Sequence, residues 1–315
     1  MKRARTFPVI PLTIFAVSAL TGIACTDDSD SDTSSESNGD VTGDETAGTD
    51  MDGGDTETVT LSFQARINGA DFGCGEATGL GTTDETVSIE DLRFFISDVQ
   101  LLQGGTAVDA PIVDDGNWAQ PRVALLDFES RCGDAGSEGT NAEVEVEVPA
   151  GTYDGLVFQL GVPFDLNHVD AQSPDAAAPL NTASMFWSWQ GGYKFFRLDM
   201  KTGADGTTPW NVHLGSTMCM SDSAVTPPTM TCGRPNLPTI RLEGVDVATT
   251  PITLDIGTLL TGTDLSQDTM DSPPGCISMP PDAPECTDLF GKLGLDFATG
   301  ECVNGCAGQV LFSAG

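Results

Sequence analysis

The sequence predicts an all-β domain, mostly antiparallel, built as a sandwich or a barrel with long loops tied by disulfides. Three observations lead there. Apolar residues repeat every second position over many short runs, which is the period of a half-buried strand. Glycine (36) and proline (19) are plentiful and punctuate those runs, as turns between strands require. Eight cysteines follow the first 25 residues, an even number suited to a bridged, exported chain.

Val59, Leu61, Phe63, Ala65 and Ile67 alternate with polar residues and open the domain as a strand. The same alternation recurs at Val144, Val146 and Val148, at Tyr193, Phe195 and Arg197, and at Ile240 and Leu242. Further strand-like runs cover Val87–Leu102, Val123–Phe128 and Tyr153–Leu160. Turn signals separate them at Pro149-Ala-Gly, Gly191-Gly192 and Gly203-Ala-Asp-Gly. Two short segments read as helix, Ile256–Leu260 and Thr287–Leu293. No internal repeat is visible.

Ahead of the domain, residues 1–25 read as a signal peptide. Lys2, Arg3 and Arg5 form the basic start, Phe7 to Ala19 the apolar stretch, and Gly22-Ile23-Ala24-Cys25 the processing site. Cys25 is a lipidation candidate, although Gly22 stands where a lipoprotein signal usually has Leu, so ordinary cleavage near Ala24 is the alternative. The apolar stretch is too short for a membrane span and contains Pro8 and Pro11. Residues 26–57 carry twelve acids and no Lys or Arg, with only Val41, Ala47 and Met51 apolar. Such a composition cannot offset its ordering entropy and predicts a disordered tether. Its Asp28-Ser-Asp-Ser-Asp32 run lacks the Gly and the closing Glu of a calcium loop. Residues 58–315 form the β domain.

A net charge of −34 excludes a phosphate-neutralising nucleic-acid surface. It favours cationic partners or metal ions instead. Enzyme motifs are absent: no Gly-x-Ser-x-Gly elbow, no phosphate-binding glycine loop and no His-Glu-x-x-His helix. Cys74, Cys132, Cys219, Cys232, Cys276, Cys286, Cys302 and Cys306 contain no C-x-x-C knuckle, and the chain has two histidines, so disulfides outweigh a structural zinc site. Their connectivity is not written in the spacing. The close pairs Cys219/Cys232, Cys276/Cys286 and Cys302/Cys306 are natural partners and would leave Cys74 with Cys132.

Both histidines sit in distinctive segments. His168 ends Gly161-Val-Pro-Phe-Asp-Leu-Asn-His168, at the end of a strand and the start of a loop. His213 lies in Trp210-Asn-Val-His213-Leu-Gly-Ser-Thr-Met-Cys219-Met. Between them runs Met185-Phe-Trp-Ser-Trp-Gln-Gly-Gly-Tyr-Lys-Phe-Phe-Arg-Leu-Asp199, the most aromatic part of the chain. Cuprous ion accepts two or three ligands, so two imidazoles and a third soft or nitrogen donor suit copper. Met185, Met218, Met220 or a modified tryptophan are the donors at hand. The plain alternative is that each histidine only makes hydrogen bonds and that the aromatics feed the core.

Several long motifs in order make the sequence resemble the copper-binding MbnP-like family, the four-Cys partner of a metallo-mystery pair. They are Asp91-Leu-Arg-Phe-Phe-Ile-Ser-Asp-Val, Leu125-Leu-Asp-Phe-Glu, the two histidine segments, the aromatic segment, Cys232-Gly-Arg-Pro-Asn236, and Gly275-Cys-Ile-Ser-Met with Cys286. The resemblance covers the chain from about Val59 onward. It implies a non-enzymatic β protein of the periplasm or the outer cell surface, lipid-anchored if Cys25 is modified, that binds one copper ion. It also implies a companion, a di-haem protein related to cytochrome c peroxidases, which oxidises a partner tryptophan to kynurenine. Carried over, His168 and His213 become the metal ligands and Trp187 or Trp189 the modified residue or third ligand. The alternative without metal is a structural or glycan-binding surface lipoprotein.

Overall fold

The computed structural model describes residues 55–315 apart from 133–135, 175 and 281. The signal peptide, Cys25 and the acidic tether up to residue 54 lie outside the described residues. In chain order the strands are β1 (Thr56–Ile67), β2 (Ala70–Asp71), β3 (Gly75–Leu80), β4 (Glu85–Gln103), β5 (Thr106–Asp109), β6 (Ala119–Gln120), β7 (Val123–Asp127), β8 (Glu143–Pro149) and β9 (Gly155–Leu160). A one-turn helix, α1 (Phe164–Asn167), separates them from β10 (Phe186–Ser188), β11 (Gly192–Tyr193), β12 (Phe196–Thr202) and β13 (Thr208–Leu214). Then come β14 (Thr239–Glu243), β15 (Ile252–Asp255), α2 (Ile256–Leu260), β16 (Gly275–Cys276), α3 (Pro284–Lys292) and β17 (Phe312–Ala314).

The architecture is a sandwich, with no closed barrel. One sheet runs β17-β15-β1-β2 with β8 also paired to β1; the larger runs β14-β9-β4-β12-β13-β16, with β3, β5 and β7 added along β4. β4 is long enough to serve several neighbours in turn: Ser88–Phe94 pair with β12, Arg93–Ser97 with β7, and Ile96–Leu102 with β9. Most pairings are antiparallel; β1 with β15 and β13 with β16 are parallel.

The core lies between the sheets, where side chains of alternate residues meet. Phe63 of β1 packs edge-on against Phe94 of β4 and Phe158 of β9, with centroids 6.3 and 5.9 Å away. Phe312 of β17 reaches the same two rings at 5.6 and 5.3 Å. The four cysteine pairs are Cys74–Cys132, Cys219–Cys232, Cys276–Cys286 and Cys302–Cys306.

Most predicted strands are present, with two departures near the site. The alternation read through Tyr193, Phe195 and Arg197 is interrupted: β11 ends at Tyr193 and β12 starts at Phe196. Tyr193, Phe195 and Phe196 are all buried, because this stretch is covered on both faces. The predicted strand end before His168 continues into α1, opened by Pro163, whose fixed φ suits a helix start. The predicted helix 287–293 begins three residues earlier, with Pro284 in its first turn.

Candidate metal centre

The outer face of the large sheet is polar and yet buried. Its register sets Asp127, Arg93, Arg197 and His213 in one row across β7, β4, β12 and β13. Asp91, Asp199 and Asn211 form the next row. Each arginine therefore meets an acid: Arg93 donates from Nε to Asp91 Oδ1 at 2.8 Å, and Arg197 donates from Nε and Nη2 to Asp199 Oδ2 at 2.9 and 2.6 Å and is ion-paired with Asp91 Oδ2 at 3.1 Å. Burial raises the Asp91 carboxyl above its ordinary value despite both guanidinium groups. Burial also pushes Asp199 up, but hydrogen bonds and charge from His213 and Arg197 outweigh it and hold the carboxyl below the usual carboxylate range. Lys194, buried and near Arg197, falls to about 8.

His213 joins this network through Nε2, 2.5 Å from Asp199 Oδ1. A carboxylate only accepts, so Nε2 carries the proton of the neutral ring and Nδ1 is the basic nitrogen. Burial lowers the His213 pKa, with Asp199 pulling the other way. The backbone here is pinned by Ser278, whose hydroxyl donates to His213 O at 2.8 Å and accepts from Gly215 N at 3.3 Å.

His168 stands in a different setting. Its Nδ1 lies 2.8 Å from the carbonyl oxygen of Trp189, an acceptor only, so Nδ1 bears the proton. Asn167 confirms that tautomer: its Oδ1 accepts from Tyr193 N at 2.8 Å, which turns Nδ2 toward His168 Nε2 at 3.4 Å. Nε2 is thus unprotonated and accepts from the Asn167 amide, and Cys232 Sγ lies 3.7 Å from it. Burial lowers the His168 pKa. Among the described residues, His168, Cys219 and Cys232 form a group whose potential donor atoms all lie within 4.8 Å of one another. An imidazole with one nitrogen held by a carbonyl or carboxylate and the other free is the usual form of a metal-binding histidine. His213 has it, and at His168 the second nitrogen meets, among the described residues, only the Asn167 amide and Cys232.

The aromatic hairpin β10–β11 connects the two settings. The Trp189 carbonyl holds His168, while the ring of Trp187 lies against Gly215 so closely that a β-carbon there would sit 2.5 Å from Trp187 Cζ3. Gly215 directly follows β13, the strand that carries His213. Trp187 also lines a cavity of about 430 Å³ with Gln190, Met218, Cys219, Ile277 and Met279. Gly192, at φ +73°, leaves its space to the Asn167 amide. Met185 is buried, whereas Met218 and Met220 are exposed.

A family profile, MbnP, matches residues 56–278, the stretch that contains the hairpin, the two histidine segments and the buried ion network. The chain belongs to the MbnP family. MbnP from Methylosinus trichosporium has a similar structure, with a TM-score of 0.72 and 27% sequence identity over 83% of this chain and 99% of that one. No curated protein sequence matches significantly. Within the matched stretch Asp91-Leu-Arg93 is the centre of the buried ion network, and Asn167-His168 is the amide-oriented imidazole. Sequence reading missed Asp199 as the partner of His213, and missed that Cys219 and Cys232 border His168. Its available signal was charge in strand positions where only buried residues fit, at Asp91, Arg93, Arg197 and Asp199.

Proposed function

We propose that this MbnP-family chain is an exported, non-enzymatic copper-binding protein whose ligands include His168 Nε2 and His213 Nδ1. A third donor is the aromatic amine of a kynurenine made from Trp187 by a di-haem peroxidase-like companion. The observation that carries this reading is the position of Trp187, laid over Gly215 beside the His213 strand and open to the cavity, in a hairpin that also holds His168 through Trp189 O. Of the two tryptophans, Trp187 is therefore the better substrate. Two neutral imidazoles and an aromatic amine are donors that copper accepts, and the bound ion would supply a redox or carrier function. The protein's own residues orient the imidazoles through Asp199 and the Trp189 carbonyl.

The test is copper content after purification with and without the companion. One ion per chain is expected, with loss in the His168→Ala, His213→Ala double variant. Copper retained by that variant sinks the ligand assignment. Peptide mass spectrometry over residues 185–194 should show conversion of Trp187 only when the companion is coexpressed. An unconverted peptide under those conditions removes the kynurenine donor, and a metal-free protein with an unaltered peptide favours the structural or glycan-binding reading.

A further inference from the structure

The disulfide beside His168 shares that donor with the copper reading above but forms a different ligand set. Cys219 and Cys232 close a loop whose neck is held without them. Thr217 and Arg234 exchange backbone hydrogen bonds of 2.9 and 3.0 Å, and Gly233 N donates to Met218 O at 3.1 Å. Gln190 adds a tie from outside, donating from Nε2 to Cys219 O at 3.1 Å and from its backbone to Ala224 O at 3.2 Å. Opening the sulfur–sulfur bond would leave both cysteines next to His168 Nε2, because these bonds persist. Cys219 lines the open cavity, which gives a reductant and an ion a way in. The flanking sequence is Met218-Cys219-Met220 and Met230-Thr-Cys232, and the three methionines are 62, 74 and 67% exposed. Thioethers and thiolates select soft ions.

We infer that Cys219, Cys232 and His168 form a reductively gated soft-metal site, closed as a disulfide and able to take one cuprous ion as a dithiol. A dithiol reductant passes two electrons to the bond, and each sulfur takes up one proton. The reductant becomes a disulfide. Cuprous ion then displaces both protons and is held by two thiolates and His168 Nε2, with the exposed methionines as transient ligands on its path. For release, a disulfide oxidant takes two electrons from the two thiolates and two protons from water to become a dithiol, and the re-formed Cys219–Cys232 bond removes both sulfur ligands from the ion. One Nε2 cannot serve both ions at once, so the two sites exclude each other, and the test uses His213→Ala protein, whose oxidised form lacks a ligand of the site proposed above.

Full-length protein, oxidised or reduced with dithiothreitol and desalted without oxygen, is titrated with cuprous ion against bicinchoninate. Reduction should add one equivalent to the His213→Ala protein and none when Cys219→Ser and Cys232→Ser are combined with it. His168→Gln should weaken the added site by about tenfold or more. A second readout needs no variant: cuprous ion should protect Cys219 and Cys232 of the reduced wild type from iodoacetamide while the other six cysteines of the β domain alkylate. No added equivalent, an equivalent that survives in the double serine variant, or alkylation of Cys219 and Cys232 at the unprotected rate overturns the inference.

Discussion

Gly215 does its work by having no side chain. A methyl group there would meet the six-membered ring of Trp187 and the carbonyl oxygen of Tyr193 within 2.8 Å. Gly215→Ala should therefore tilt the indole off the His213 strand and cost about 1–3 kcal/mol, as overpacking of a filled site does. Urea unfolding checks the stability, and a shift in tryptophan emission checks the displacement; an unchanged spectrum would contradict the packing described. Asp127 works through its proton. Burial raises its carboxyl from 3.8 to about 6, more than hydrogen bonds from Ser137 and Glu129 N and the charge of Arg93 can lower it. The folded chain then holds this proton more tightly than the unfolded one, so the contribution of Asp127 to stability falls as pH rises from about 4 to about 6. Asp127→Asn removes that slope. Its stability relative to the parent should rise across the same window in urea titrations, and a constant difference would refute the assignment.

At the scale of elements, the short additions carry the site. β10 and β11 are only three and two residues long, yet the turn between them fixes His168 by the Trp189 carbonyl, and Trp187 of β10 lies against Gly215, just past the strand of His213. β13, which bears His213, escapes the periodicity because Pro209 and the polar residues Asn211 and His213 interrupt its apolar pattern. Its inward positions are Trp210, Val212 and Leu214, and its outward ones belong to the buried ion rows rather than to water. β1, β8 and β9 were legible because their outward residues are polar or half-exposed. β17 is the shortest strand of its sheet apart from β2, but it sets Phe312 between Phe94 and Phe158. Phe312→Ala should cost about 3–5 kcal/mol, since a cavity opens between both sheets. Guanidinium unfolding with an unchanged slope would show it, and a loss under about 1 kcal/mol would mean that the core closes around the gap.

For the whole molecule, sequence period and turn chemistry told the class and most strands, because a sandwich has one wet and one dry face on much of its surface. They did not tell how segments far apart in sequence meet. Cys232 lies 64 residues from His168, and Asp199 faces His213 across a strand pair whose register no local pattern encodes. That the chain has only two histidines supplied the candidate ligands, while their tautomers needed coordinates. The MbnP profile ends at residue 278, but the protein body does not. Arg234, in the loop neck beside the site, donates to Ser278 O at 2.9 Å and to Phe297 O, and its guanidinium stands over the Phe290 and Phe297 rings.

The sheet that begins with β1 is thus finished only by β17, 245 positions after β1 ends, counting from Ile67 to Phe312. A ribosome making this chain must release residues 312–314 from its exit tunnel before β15 gains its second neighbour and Phe312 reaches the core. Until then the nascent polypeptide lacks a closing element and remains open to chaperones, a delay built into the order of its strands.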